Sequence, residues 1–168
     1  MKINISNLSE GIHDYQFDEP SSEIGLDERF SNAVSVQVKL EKRRRQLFLT
    51  GHIETSGKFV CDRCLDNFDR RFSLDYRMAY VYDESDAGEV DRDEITVLKM
   101  STNVINIDED VKEYVLLAIP LKLLCKEDCA GLGGKCGGNL NHASCNCRKE
   151  ETDSEIIEIK PKRILSKN

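Results

Sequence analysis

No tryptophan occurs in this chain of 168 residues, aromatic residues make up 7 %, and hydrophobic residues only 39 %. That suffices for one core, with an appended module at most, and a metal cross-link would add stability where apolar content is modest. Nowhere does an apolar run approach the roughly 20 residues of a membrane helix, so no membrane partner is expected. The start, MKINISNLSE, has no basic stretch followed by an apolar one, which predicts a cytoplasmic protein whose thiols stay reduced. Catalytic signatures are missing as well. There is no His-Glu-x-x-His, no Walker loop, no Gly-x-Ser-x-Gly elbow and no Gly-x-Gly-x-x-Gly. The expectation is a protein that is not an enzyme and takes no small-molecule substrate.

Cysteine, by contrast, is plentiful. Cys61 and Cys64 form a Cys-x-x-Cys, and Cys125, Cys129, Cys136, Cys145 and Cys147 crowd into one stretch with His142 among them. Thiolates this close repel unless they are oxidised or share a cation, and zinc is the usual choice. Seven is odd, and a reducing compartment disfavours disulfides. Cys61, Cys64, Cys125 and Cys129 make one complete tetrahedral set, two ligands from each of two distant segments. Cys136, Cys145 and Cys147 are one short, and His142 would complete a Cys3His set. KCGGN resembles the second half of a zinc knuckle, whose first half would need a cysteine where Gly133 stands. One zinc is expected to be held tightly and a second at lower occupancy. A four-thiolate site leaves no open position for catalysis, so the metal reads as structural.

Strict alternation marks the strands. KINISNL and HDYQF read as short strands, with His13 structural. Val34, Val36, Val38 and Leu40 alternate in NAVSVQVKLEK; Leu47, Leu49 and Ile53 do so in QLFLTGHIET. Together they predict an antiparallel hairpin with Lys42, Arg43, Arg44 and Arg45 at its turn. A second turn is expected around Gly57. A long alternating stretch from Phe68 to Tyr82, interrupted by Arg70, predicts a bend or bulge. Residues 83 to 94 are heavily acidic and read as a mobile loop. ITVLKM adds a strand. NVINIDEDVKEYVLLAIP reads as a helix capped by Asn106 or Asp108 and stopped by Pro120, delivering the chain directly to Cys125. The fold class is thus α+β: an antiparallel sheet curled towards a barrel, one main helix and a cysteine-rich end. Residues 1–120 would form the β-rich domain, 121–148 the zinc-binding segment joined to the Cys61/Cys64 knuckle, and 149–168 a disordered charged tail.

The net charge of -7 does not advertise nucleic-acid binding, but the charge is uneven. Residues 31–60 hold six basic side chains against two acidic, and 83–95 hold seven acidic against one basic. Lys42 to Arg45 are either a solvated, aggregation-blocking turn or a grip on phosphate. They lack the aromatic interleaving of a single-strand binding face.

CDRCL, IPLKLLC, CKEDCAGL and CGGNLN, followed by CNC, resemble in their order the bacterial YceD family, from roughly residue 30 to 148. That family is described as large ribosomal RNA subunit accumulation proteins. The resemblance implies a non-enzymatic role in large-subunit rRNA processing or ribosome assembly. Fuller members carry a cysteine at the Gly133 step. Others lack the later cysteines but keep the CxRC pair with Cys or His matching Cys125 and Cys129, which favours the first ligand set. The implied partner is large-subunit rRNA or a preribosomal particle. Two alternatives stand beside it: a module that holds a basic ribosomal protein through acidic segments, and a thiol redox or metal-handling protein.

Overall fold

A computed structural model of the chain describes residues 1–87 and 94–142. Its centre is an open five-stranded sheet in the order β2-β3-β4-β5-β6. The strands are β2 (Gly11–Pro20), β3 (Ala33–Arg43), β4 (Gln46–Val60), β5 (Asn67–Val81) and β6 (Ile95–Val97). The first four run antiparallel, whereas β6 pairs parallel with β5, from Ala79↔Ile95 to Val81↔Val97. Among the described residues the sheet therefore does not curl into a barrel: β2 and β6 are separate edges, and the pairing is mixed. The first segment also departs from expectation. β1 (Lys2–Asn4) leaves the sheet and pairs with β7 (Val104–Asn106) as a two-stranded ribbon.

Period-2 patterning explains the inner strands. Val34, Val36, Val38 and Leu40 are buried, as are Leu47, Leu49, Gly51 and Ile53, and the alternate residues are half-buried or exposed. The β3–β4 turn is where the sequence places it, with Arg44 at φ 48. β4 and β5 then pair one for one from Gln46↔Val81 to Val60↔Asn67.

That register removes two expectations. No turn forms around Gly57, which lies within β4. A Cβ there would meet Phe59 at 2.9 Å and the Arg29 carbonyl at 3.0 Å, so the glycine makes room for the 21–30 segment crossing the sheet. Nor does β5 bulge at Arg70, whose guanidinium lies 5.9 Å from the centre of the Phe72 ring on the same face.

Helix α1 (Asp108–Leu117) buries Val111 and Val115 against the sheet's inner face, with Tyr114 5.3 Å from Tyr76. Ile107 occupies the cap position instead of Asn106 or Asp108, because Asn106 is still paired in β7. The Asn106 side chain nonetheless accepts the Asp108 N–H at 3.2 Å. The helix ends ahead of Pro120, and an irregular stretch, not the helix itself, leads to Cys125. Of the acidic stretch, residues 88–93 lie outside the described residues, while Glu84–Ala87 form a 3-10 turn. The charged tail lies outside them too. Among the described residues, no helix is long and apolar enough to cross a membrane.

Candidate metal centre

The β4–β5 connection is a six-residue loop that ends one strand at Val60 and begins the next at Asn67. Inside it, the Cys61 N–H donates to the Asp66 carbonyl at 2.9 Å, and the Leu65 N–H to the Cys61 carbonyl at 2.9 Å. Leu65 takes φ 62 to close the turn. This tight geometry points both sulfurs to one side.

The segment after the helix is held there by backbone and side-chain grips. The Asp62 N–H donates to the Leu123 carbonyl at 2.8 Å, and the Leu123 N–H donates back to Asp62 Oδ2 at 2.6 Å. Arg63 donates to the Cys129 carbonyl at 3.1 Å. Gly131 then passes so close to the loop that a Cβ would sit 3.2 Å from the Arg63 carbonyl, and its φ is 74.

These contacts bring Cys61, Cys64, Cys125 and Cys129 together, with all four sulfurs within 4.8 Å of one another. Cys61 and Cys129 are 3.8 Å apart, and Cys64 and Cys125 3.7 Å. A tetrahedron with Zn–S arms of about 2.3 Å has edges of about 3.8 Å. Disulfide bonds would need sulfurs about 2.0 Å apart, and all four cysteines are free thiols. The donor set fits one closed tetrahedral ion, and the four cysteines could hold a metal.

The electrostatics of the four sulfurs are uneven. Burial works against the Cys61 thiolate, but N–H groups of Cys125, Arg63 and Cys64 outweigh it and bring its pKa down to about 6. Cys129 is likewise lowered: burial opposes ionisation, while the Asn141 amide and the Gly131 N–H favour it. Burial raises Cys125 to about 12, and its neighbouring sulfurs add to the rise. Cys64 is also raised: the Asp66 N–H stabilises its thiolate, but burial and the sulfurs of Cys61 and Cys129 overcome that help. The group thus divides into two sulfurs shifted towards the thiolate, Cys61 and Cys129, and two shifted towards the thiol, Cys64 and Cys125.

The remaining residues read from the sequence fall elsewhere. Cys136 lies in an exposed turn outside the four-sulfur group. His142 is placed with its Nε2 2.8 Å from Asp66 Oδ2, beside the knuckle. Cys145 and Cys147 lie outside the described residues. At the opposite end of the sheet, the basic turn is largely matched by local acceptors. Arg43 pairs with Glu41 at 2.7 Å, Arg45 Nε lies 3.7 Å from Asp86, and Lys42 donates to the Leu8 carbonyl at 2.5 Å.

Sequence reasoning missed the residues that hold the clasp shut: Asp62, Arg63, Asp66, Asn139 and Asn141. Asn139 donates to Asp66 at 2.6 Å, and Asn141 donates to the Cys129 sulfur at 3.3 Å. The signal available was the density of Asp and Asn flanking the cysteines, which prefer such short side-chain bonds in turns.

An open sheet whose β4–β5 loop and post-helix segment converge on four buried or half-buried thiols defines an α+β protein with a four-cysteine cluster. The chain belongs to the YceD family: the model of that family, described as large ribosomal RNA subunit accumulation protein YceD, matches residues 49–158. It is 25 % identical over 145 residues to a chloroplastic large ribosomal RNA subunit accumulation protein YCED homolog 1 of Arabidopsis thaliana, covering 71 % of this chain and 45 % of that relative. To the protein of the same description in Zea mays it is 27 % identical over 142 residues, covering 68 % and 48 %. The chain thus spans under half the length of these curated relatives. No solved structure matches it.

Proposed function

We propose that this chain is a non-enzymatic, zinc-clasped factor that supports the accumulation or processing of large-subunit rRNA in the cytoplasm. Its partner in this reading is that rRNA or the preribosomal particle carrying it. The observation that carries the proposal is where the family match falls. It begins at residue 49 and takes in the knuckle, the helix and all seven cysteines, but excludes Lys42 to Arg45. This supports assigning the role to the half of the molecule that carries the cysteines, with Lys42 to Arg45 as a further contact to RNA in the same reading. Zinc in Cys61, Cys64, Cys125 and Cys129 would act as a cross-link. A second ion on Cys136, His142, Cys145 and Cys147 would be held more weakly.

Depleting the protein in its own cells tests the role. Large-subunit rRNA should fall relative to small-subunit rRNA, and the wild-type chain should restore it while Cys64→Ser does not. Elemental analysis of reduced protein should find one firmly held zinc per chain, with a second below full occupancy. Normal large-subunit rRNA after depletion would end the functional reading; protein free of zinc would end the metal reading.

A further inference from the structure

Strand β2 is an edge that the fold leaves open. Over Gly11–Pro20 it pairs with β3 residue for residue, from Gly11↔Lys42 to Pro20↔Ala33, and among the described residues no strand lies on its other side. Every second N–H and C=O of an edge strand points away from its neighbour. Natural sheets usually blunt such an edge with lysine, proline or a bulge. Here there is no lysine, the single proline is the last residue, and the register has no bulge. Ile12 is 60 % exposed.

The exposed face of the edge carries Ile12, Asp14, Gln16 and Asp18, and the half-buried face carries Tyr15 and Phe17 flanked by His13 and Glu19. Asp14 and Asp18 point outward with Gln16 between them. Lys39 stands opposite Asp14 across the ladder, yet no ion pair joins them, and Asp18 takes only a 3.3 Å bond from Gln16. On the inner face Tyr15 and Phe17 are half-buried, with ring planes 10° apart and centroids at 6.4 Å. A strand added here would find backbone partners along its length. Its side chains would alternate between two carboxylates four residues apart and an apolar shelf.

We infer that β2 is a docking edge for an extended peptide with lysine or arginine on one face and aliphatic residues on the other, taken up by strand addition. The basic residues would stand four apart, opposite Asp14 and Asp18, with aliphatic side chains between them against Tyr15 and Phe17. A second copy of this chain is a poor occupant, because antiparallel pairing of two β2 edges sets carboxylate against carboxylate. The edge is distinct from the metal clasp, so this inference and the proposed role in rRNA accumulation can fail separately.

A fluorescein-labelled peptide of sequence Thr-Lys-Val-Gln-Val-Lys-Thr, titrated with the full chain and read by anisotropy, tests it. Binding is expected, with amide resonance shifts concentrated in residues 11–20. N-methylation of one alternate set of peptide residues should abolish binding while the other set is tolerated, because only alternate N–H groups face the edge. The exposed double change Asp14→Lys with Asp18→Lys should keep the fold and weaken binding roughly tenfold. Four outcomes overturn the inference. They are absence of binding, indifference to both methylation patterns, β2 shifts on dilution of the protein alone (a second copy on the edge), and binding only after removal of residues 161–168 (the chain's own basic end as occupant).

Discussion

Asn141 joins three parts of the clasp through one side-chain amide. Its Oδ1 accepts the Ala130 N–H at 2.9 Å, and its Nδ2 donates to Asn139 Oδ1 at 2.8 Å and to the Cys129 sulfur at 3.3 Å. An N–H bond to a thiolate spreads its negative charge and fixes the direction in which the sulfur presents its lone pairs. Groups that orient a metal ligand in this way commonly account for 10- to 100-fold in affinity. Asn141→Ala should therefore leave the strands intact and weaken zinc about tenfold against a competing chelator. It should also slow alkylation of Cys129 at neutral pH in the metal-free protein, because the thiolate loses a donor that favours it. Unchanged zinc affinity would reduce Asn141 to a turn residue. None of this is visible as a motif, since an asparagine twelve positions after a cysteine has no fixed meaning until the chain has folded back.

Among the elements, the β3–β4 hairpin shows how far alternation alone carries the reading. Period-2 patterning located both strands and put the basic run at the turn, because each strand buries one face only. It could not show that acidic side chains would meet those charges, since Glu10 and Asp86 reach the turn from other parts of the chain. Arg44 is different: it takes φ 48, and its backbone N–H rather than its guanidinium makes the 3.2 Å bond to Glu10. Glycine enters that backbone region without penalty. Arg44→Gly should then shift stability by less than about 1 kcal/mol while removing this guanidinium. If the turn grips RNA, the salt dependence of binding should lose roughly one phosphate contact. An unchanged salt slope would take the turn out of the binding account. The β1–β7 ribbon was illegible for a related reason. Its three-residue strands lie a hundred positions apart and are set by the packing of Ile3 and Ile105, both buried.

At the scale of the whole molecule, the grouping of Cys61, Cys64, Cys125 and Cys129 was legible because Cys-x-x-Cys and Cys-x-x-x-Cys each place two sulfurs close together, whatever lies between them. The hidden part was how separate the clasp is from the core. Buried Cys61, Cys64 and Cys129 form their own cluster, apart from the large core that runs from Met1 to Val115. Phe68 packs against both, half-buried between them. Consequently the sheet has its own apolar core. The segment after Pro120, by contrast, touches that core through Leu123 and is otherwise tied down by the grips at the knuckle and by sulfurs 61 and 68 residues apart in sequence. Structural zinc can contribute about 10 kcal/mol where it makes the whole fold; here its loss should be confined to the part it anchors. Cys64→Ser and Cys129→Ser should each raise amide exchange across residues 121–142 roughly a hundredfold, equivalent to about 3 kcal/mol of local opening. The strands before residue 82 should stay protected in both variants, and removing the metal from the wild-type chain should reproduce the same pattern. If Cys64→Ser loosened only residues 61–66 and left 121–142 protected, the two segments would not share an ion, and the hydrogen bonds from Asp62 and Arg63 would suffice to hold them.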